Sequence, residues 1–246
     1  MRLARWVSAR NLYALHRWVS LVVVIQLILW ATSGLVFALI PARSITSAVA
    51  EDAHEERLIT DPWLAPEAVL ARVPIEHRSS VYRLELRRSG DRDVWIARAG
   101  GGWVGRYDAT SGDEAPLGPE DAARIASEDQ DSRPEAREVV RYDEAPPIEY
   151  RGRALPAYRV TLDDEESTGV WVDARTGDVT ARRTDRWRIY DFFWALHIMD
   201  YTGREDSHHP LLIAAAALAE LTALTGLVLW LRRIPRKRRP ESTDDS

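Results

Sequence analysis

Four of the six histidines stand beside the long apolar stretches of this 246-residue chain. His16 precedes the first stretch, His197 follows the densest aromatic patch, and His208 and His209 precede the second stretch. Imidazole is the commonest side-chain metal ligand and a frequent axial ligand of haem iron. Because the chain has no cysteine, Fe–S clusters and covalent c-type haem are excluded. Redox chemistry here would need a non-covalent cofactor held by histidine or methionine.

The aromatic patch around His197 has two interpretations. On a helix, Phe193, His197 and Tyr201 would share one face at i, i+4 and i+8, and flat rings beside an imidazole suit packing against a porphyrin edge. An amphipathic aromatic helix in a membrane interface, with its histidine among lipid headgroups, explains the same residues without a ligand. Spacing alone leaves both interpretations open.

His208 and His209 lie in a polar joint directly before the second apolar stretch. Pro210 is predicted to be the first helical residue, where a missing N–H costs little, and Asp206 or Ser207 is predicted to cap the helix. Capping explains most of this joint without a ligand. His197 nevertheless lies on the same side of the membrane as these two histidines. Two of the three imidazoles could therefore approach one metal, with each metal–nitrogen bond about 2 Å long.

His16 stands apart from those three histidines. It lies among arginines one residue before Arg17, and an interfacial histidine explains it on sequence alone. A membrane core of about 30 Å separates it from the other three, so it cannot join their site.

Two polar residues fall inside the apolar stretches. Gln26 is typical of a helix–helix hydrogen bond. Glu220 lies near the middle of the second stretch, where an ionisable group costs about 3 kcal/mol and usually marks function. We therefore predict that Glu220 carries protons, pairs with Gln26 or holds a dimer together.

The two apolar stretches are predicted to be transmembrane helices. Residues 18–40 contain no charge and residues 211–231 contain one, and roughly 20 apolar residues of helix cross a bilayer. A cleaved signal peptide is the competing interpretation of the first stretch, but its apolar part would be shorter and no A-x-A-like site follows Ile40. Basic flanks predict that residues 1–17 and the basic-then-acidic tail 232–246 are cytoplasmic.

The region between the spans, residues 41–210, is predicted to lie outside the cytoplasm. It holds 23 basic and 34 acidic residues, and this acidity argues against nucleic-acid binding. A polar linker, 41–60, opens it, and an interfacial aromatic helix with the polar joint, 185–210, closes it. No catalytic triad, phosphate loop or flavin fingerprint occurs, so its central part is interpreted as a sensing, docking or shielding region.

Residues 61–117 and 118–184 are predicted to be two copies of one small α+β unit. Each copy opens with a predicted helix, Leu64–Val73 or Gly118–Ala126. Further local similarities pair VYRLEL with AYRVTL and YDATSGD with VDARTGD, and the second copy carries an insertion around residues 146–156. The alternation in VYRLEL is typical of a half-buried strand, and the Ser-Gly and Thr-Gly pairs are typical of turns. The predicted fold is therefore two transmembrane helices plus an α+β extracytoplasmic region.

Small residues recur every fourth position in the second span and allow close helix packing; they are Ala215, Ala219 and Ala223, and Thr222 with Gly226. Two helices cannot enclose a large cofactor. A homodimer would supply four, which is enough for a bundle with ligands on facing helices.

Four segments resemble the PepSY-associated transmembrane family in its short two-span form: LHRWVSL, WATSGLVFALIP, FWALHIMDY and LTGLVLWLRR. The outer units resemble PepSY domains, with GVWVDARTGDV as their strand–turn signature. The resemblance covers roughly residues 12–233 and implies a bacterial inner-membrane protein with a periplasmic PepSY module. Larger relatives include siderophore-reducing proteins that resemble b-type haem electron carriers.

The resemblance matches His16 in LHRW and His197 in ALHIMD to the histidine positions of the family motifs. It implies haem b held at those two residues and, with two spans where larger relatives have about four, a homodimer or larger membrane complex in the lipid bilayer. The chain would then be a component of a ferric or siderophore reductase. PepSY domains also occur in propeptides that restrain proteases, so a cofactor-free anchor that presents PepSY domains to a protease or an envelope complex remains the alternative.

Overall fold

The structure is a computed structural model that describes residues 9–40, 45, 62–89 and 92–233. Most of the predicted linker, including His54, and nearly all of the predicted cytoplasmic tail lie outside the described residues. The chain divides into two compact units. We call Met1–Leu39 with Phe192–Ser246 the helical unit and Ile40–Asp191 the sheet unit.

The described helices and strands follow one another along both units. The helices are α1 (Ala9–Leu39), α2 (Pro66–Arg72), α3 (Ile75–Arg78), α4 (Pro119–Glu128), α5 (Asp185–Ile198) and α6 (Pro210–Arg233). The strands are β1 (Val81–Ser89), β2 (Arg92–Ala99), β3 (Val104–Asp108), β4 (Ala136–Tyr142), β5 (Ala157–Leu162), β6 (Gly169–Asp173) and β7 (Val179–Arg183). Two single 3₁₀ turns, at Gly100–Gly102 and Ile148–Tyr150, lie between strands.

Helices α1 and α6 pack on each other in the helical unit. Segments His16–Leu39 and Pro210–Leu231 are long and apolar enough to cross a membrane. Their less exposed positions recur every three or four residues, the spacing of a coiled-coil seam. On α1 these positions include His16, Val19, Val23, Gln26, Trp30, Ser33 and Phe37, and on α6 they include Leu212, Ala215, Ala219, Thr222, Gly226 and Leu229.

The sheet unit contains two antiparallel meanders, β1-β2-β3 and β4-β5-β6-β7. Each follows a short helix that begins with proline, a residue favoured in the first helical turn. Alternate side chains of each sheet face that helix. In the first core Val69 and Val73 meet Trp95, Ala97 and Tyr107, and in the second core Ala122 and Ala126 meet Val160, Val170 and Val172.

The same turn follows β3 and β6, as the similarity of YDATSGD to VDARTGD predicted. In the first turn Gly112 donates its N–H to Asp108 O at 2.9 Å, and in the second Gly177 donates to Asp173 O at 2.8 Å. Both glycines have left-handed backbones, with φ of 75° and 79°, which explains why glycine occupies these positions. Strand pairing resumes after both turns.

The predicted correspondence of VYRLEL with AYRVTL is wrong. VYRLEL belongs to β1, the first strand of its meander, whereas AYRVTL is β5, the second strand of the other meander. The counterpart of β1 is therefore β4. The alternating pattern that suggested the match is common to every half-buried strand. The predicted insertion is confirmed, because β4 ends at Tyr142 and β5 begins only at Ala157.

Asp178 joins the second turn to the first sheet inside the sheet unit. Its carboxylate accepts hydrogen bonds from Arg87, from Arg98 at 3.1 Å and from Thr176 Oγ1 at 2.7 Å. Burial by itself raises the pKa of Asp178, but the hydrogen bonds and the two arginine charges outweigh it and hold the pKa below its usual 3.8. The equivalent residue of the first turn, Asp113, is exposed, with Arg72 at 3.6 Å.

Replacing Asp178 with alanine is expected to lower the free energy of unfolding of the sheet unit by about 1–2 kcal/mol, because two half-buried arginines lose their acceptor. Asp113→Ala is the matched control and should change stability by less than about 0.5 kcal/mol. Chemical unfolding monitored by tryptophan fluorescence measures both. Since the pKa of Asp178 is lowered on folding, its contribution is present above about pH 4 and is lost as the pH falls further. An equal effect of the two variants would contradict this role.

Candidate functional site

His197 lies in the last turn of α5 and is held by a hydroxyl group of α1. Its Nδ1 lies 2.7 Å from Ser33 Oγ, and Ser33 is fully buried. The single hydroxyl hydrogen of Ser33 is donated to Trp30 O at 3.0 Å. With that hydrogen on Trp30 O, Ser33 Oγ accepts from His197 Nδ1–H. In this arrangement a neutral ring is the Nδ1–H tautomer and keeps its lone pair on Nε2.

Aromatic rings of α1 surround the same imidazole. The Phe37 ring meets it edge-on at 5.4 Å, and the Trp30 ring lies at 6.4 Å, between ring centroids. The indole N–H of Trp30 donates to His197 O at 2.9 Å, so it satisfies one carbonyl at the end of α5. Trp30, Ser33 and Phe37 are spaced i, i+3 and i+7 and therefore lie on one face of α1.

His16 is held in the same way near the other end of α1. Its Nδ1 lies 2.9 Å from Thr225 Oγ1 on α6, and that hydroxyl donates to Leu221 O at 2.8 Å or Thr222 O at 3.0 Å. Thr225 Oγ1 therefore accepts from His16 Nδ1–H. Among the described residues, Ser20 Oγ lies 3.4 Å from Nε2 and would donate to it in this tautomer.

Gly226 has no side chain and so leaves space for the His16 ring to pack against α6. A Cβ at this position would lie 3.3 Å from His16 Cε1, closer than ordinary van der Waals contact. The Thr-Gly pair on α6 thus supplies both the hydrogen-bond acceptor and the space for the ring.

The two histidines share one arrangement at opposite ends of α1. Each donates Nδ1–H to a hydroxyl whose own hydrogen is donated to a helix carbonyl, and each keeps its lone pair on Nε2, which in His16 lies 3.4 Å from Ser20 Oγ. His16 and Ser33 are separated by about 25 Å along the helix at 1.5 Å per residue. Metal-binding histidines typically have their second nitrogen anchored in this manner.

His209 and His208 have different surroundings. His209 caps α6, since its Nδ1 accepts from Leu211 N–H at 3.3 Å. A neutral His209 therefore carries its proton on Nε2, the opposite tautomer. His208 is exposed, and its backbone N–H donates to Asp206 Oδ1 at 2.8 Å. No group of three or more His, Cys, Asp or Glu side chains that could hold a metal occurs among the described residues.

Pro210 is the first residue of α6, as predicted, but the predicted caps are not the ones used. The Asp206 carboxylate instead accepts the backbone N–H of His208, which precedes the helix. Ser207 approaches only the His208 ring, at 3.5 Å. The capping position therefore falls to His209.

Helix α5 ends before Tyr201, so the predicted face through that residue is wrong. Met199 has a left-handed backbone, with φ of 57°, and Ile198 is the last helical residue. Asp200 then organises the loop, because its carboxylate accepts backbone N–H groups from Gly203 at 2.9 Å and from residues 202, 205 and 206. These hydrogen bonds, the Gly203 bond foremost, hold the pKa of Asp200 well below its usual value.

Gln26 and Glu220 do not pair within one chain. Gln26 Nε2 is buried and has no hydrogen-bond partner among the described residues. Glu220 is exposed on α6, away from the face that packs on α1. Of the three roles predicted for Glu220, proton transfer and a dimer contact remain.

Comparison with known families identifies the chain. A family model described as the PepSY-associated TM region matches residues 13–244. The chain belongs to this family. The resemblance inferred from the sequence motifs is thereby confirmed, and this PepSY-associated TM protein is a membrane protein. No curated protein and no solved structure matches it.

Membership of the PepSY-associated TM family explains the surface of the helical unit. Large apolar side chains are exposed along both long helices, and a lipid bilayer is the environment that suits them. They include Leu21, Val22, Ile25, Ile28 and Leu35 on α1 and Ile213, Leu221, Leu224 and Leu227 on α6.

Proposed function

We propose that this PepSY-associated TM protein is a b-type haem protein that transfers electrons across the bacterial inner membrane. The electrons would reduce ferric iron, free or bound to a siderophore, or a redox partner. The observation that carries this proposal is the twin arrangement of His16 and His197. Two available Nε2 atoms near opposite ends of one transmembrane helix suit two haems, one towards each face of the membrane.

The residues of this chain fit an axial ligand in chemical terms. Neutral imidazole coordinates iron through a nitrogen lone pair, and both rings keep that lone pair on Nε2. Ser33 and Thr225 would orient the rings and increase their basicity, as outer-shell partners of metal-bound histidines do. Trp30 and Phe37 would exclude water beside His197. When bound, haem b supplies reversible one-electron chemistry.

The proposed topology follows from the charge pattern. Both termini are cytoplasmic and residues 41–210 are periplasmic, since the short basic segments flank the two spans. His16 then belongs to the cytoplasmic side and His197 to the periplasmic side. The two α+β units are proposed to be PepSY domains that contact the acceptor or shield it. His208 and His209 become secondary candidates, because His209 is engaged as a cap.

The alternative function is a cofactor-free anchor that presents the PepSY units to a protease or an envelope complex. One observation favours it: the turn after β3 is exposed at Thr110, Ser111 and Asp113, whereas its counterpart after β6 is packed against the first sheet. The exposed turn is therefore available to a partner. In this case both histidines would serve only to hold helices together.

Electron transfer in proteoliposomes separates the two functions. Purified protein is reconstituted with a membrane-impermeant ferric chelate inside, and a membrane-impermeant reductant is added outside. We expect the wild-type protein to reduce the trapped chelate, His16→Ala and His197→Ala to be inactive, and His208→Ala to retain activity. A wild-type rate equal to that of protein-free vesicles would overturn the proposal and favour the anchor.

A further inference from the structure

We propose that the exposed face of α6 around Glu220 binds a second copy of this chain. The two copies would lie parallel and be related by a two-fold axis, with their Glu220 carboxyl groups hydrogen-bonded to each other in the membrane. This interface goes beyond the proposed function, because it is argued from the surroundings of Glu220 alone and needs no haem.

Glu220 lies on the side of α6 that α1 leaves uncovered. The face of α6 that packs on α1 includes Ala219, Thr222 and Gly226, whereas Glu220 is exposed. At 100° per residue, Glu220 points roughly 140° away from the centre of that packed face. No described helix of the same chain therefore covers it.

An ionisable side chain exposed to lipid at this depth is unfavourable. Glu220 lies near the middle of the 22-residue segment Pro210–Leu231. A charged group at such a position is unfavourable on insertion scales, and ionisable residues in membrane helices almost always face other helices or a water-filled cavity. The exposed position of Glu220 thus indicates a further helix that covers it.

The neighbours of Glu220 allow such a helix to approach closely. Ala216, Ala217 and Ala223 are exposed within about 60° of it, so a helix can approach closely at the depth of Glu220. The larger Ile213, Leu224 and Leu227 are exposed on the same face, one or two turns away, and would pack against that helix. A row of small residues alone does not indicate a partner. Glu220 does, because it is a polar group that needs a hydrogen-bond partner at one defined depth in the membrane.

A second copy meets that need more directly than another protein. A parallel two-fold arrangement places identical residues at the same depth. A protonated carboxyl group both donates and accepts, so one Glu220 can bind the other without a counter-charge.

Disulfide crosslinking tests the interface directly because the chain contains no cysteine. Single cysteines are introduced at Ala216 and Ala223, and Ala214→Cys is the matched control, exposed about 160–180° away from them on α6. Native membranes are oxidised and resolved on denaturing gels. We expect dimers at the first two positions and monomer at the control. Equal crosslinking at all three, no crosslinking, or crosslinks only to a different protein would overturn the proposal.

Substitution of Glu220 tests the role of the carboxyl group. Glu220→Leu is expected to weaken dimerisation about tenfold, whereas Glu220→Gln should retain it, because an amide also donates and accepts. Undiminished dimerisation of the leucine variant would contradict the carboxyl contact. Haem content is measured in the same membranes under ample haem supply. A crosslinked dimer that contains no haem would defeat only the proposed function, and haem-containing protein that gives no crosslink would defeat only the interface.

Discussion

Replacing His197 with alanine is expected to remove about half of the bound haem and to abolish electron transfer across the membrane, because the proposed function assigns one of its two haem sites to this imidazole. The substitution deletes the only side chain of α5 that is hydrogen-bonded to Ser33 among the described residues. Haem per chain in purified membranes, measured from the reduced pyridine complex, checks the first effect. The proteoliposome assay checks the second.

Ser33→Ala separates ligation by His197 from simple helix packing. Alanine keeps the small volume but removes the acceptor of His197 Nδ1–H, so haem affinity should fall by about 10- to 100-fold while the protein remains folded. His208→Ala is the control and should keep full haem content, since this histidine is exposed in the polar joint. Full haem in both His197→Ala and Ser33→Ala would refute the site.

Replacing His16 with alanine is expected to remove the haem of the second proposed site, at the opposite end of α1 from His197. The ring lies between Thr225 and Gly226, and its loss leaves Thr225 Oγ1 without its donor. Haem content should fall by about half, and trapped ferric chelate should no longer be reduced. The double variant, lacking both histidines, should contain no haem.

Thr225→Val is the matched test for His16. Valine has nearly the shape of threonine but cannot accept a hydrogen bond. The substitution therefore leaves no cavity, but it removes the hydrogen bond that orients the His16 ring. We expect weaker haem retention at this site and unchanged retention at His197. If the visible haem spectrum of the His16→Ala variant equals that of the wild-type protein, His16 serves only to pack α1 against α6.

The two long helices could be predicted from the sequence because their signal is local. An uninterrupted apolar run both defines a span and indicates its environment. The repeated turn was equally visible, since its glycines must adopt left-handed backbones. The strand correspondence failed because alternation describes any half-buried strand and carries no information on order within a sheet.

The partners of the histidines could not be predicted, because each comes from a distant part of the chain. Ser33 is 164 residues from His197, and Thr225 is 209 residues from His16. Sequence analysis missed both hydroxyls, although the spacing of Trp30, Ser33 and Phe37 on one face of α1 was a usable signal. It also missed Asp200, whose turn ends α5 and so removed Tyr201 from the predicted face.

The visible spectrum of the full-length protein, purified in detergent after expression with ample haem, shows whether the chain binds haem b. We predict a sharp Soret band in the oxidised protein that shifts on reduction with dithionite, together with a resolved α-band of b-type haem. A featureless spectrum in both states would contradict the account. The histidines would then be helix-packing residues, and the PepSY units would carry the function.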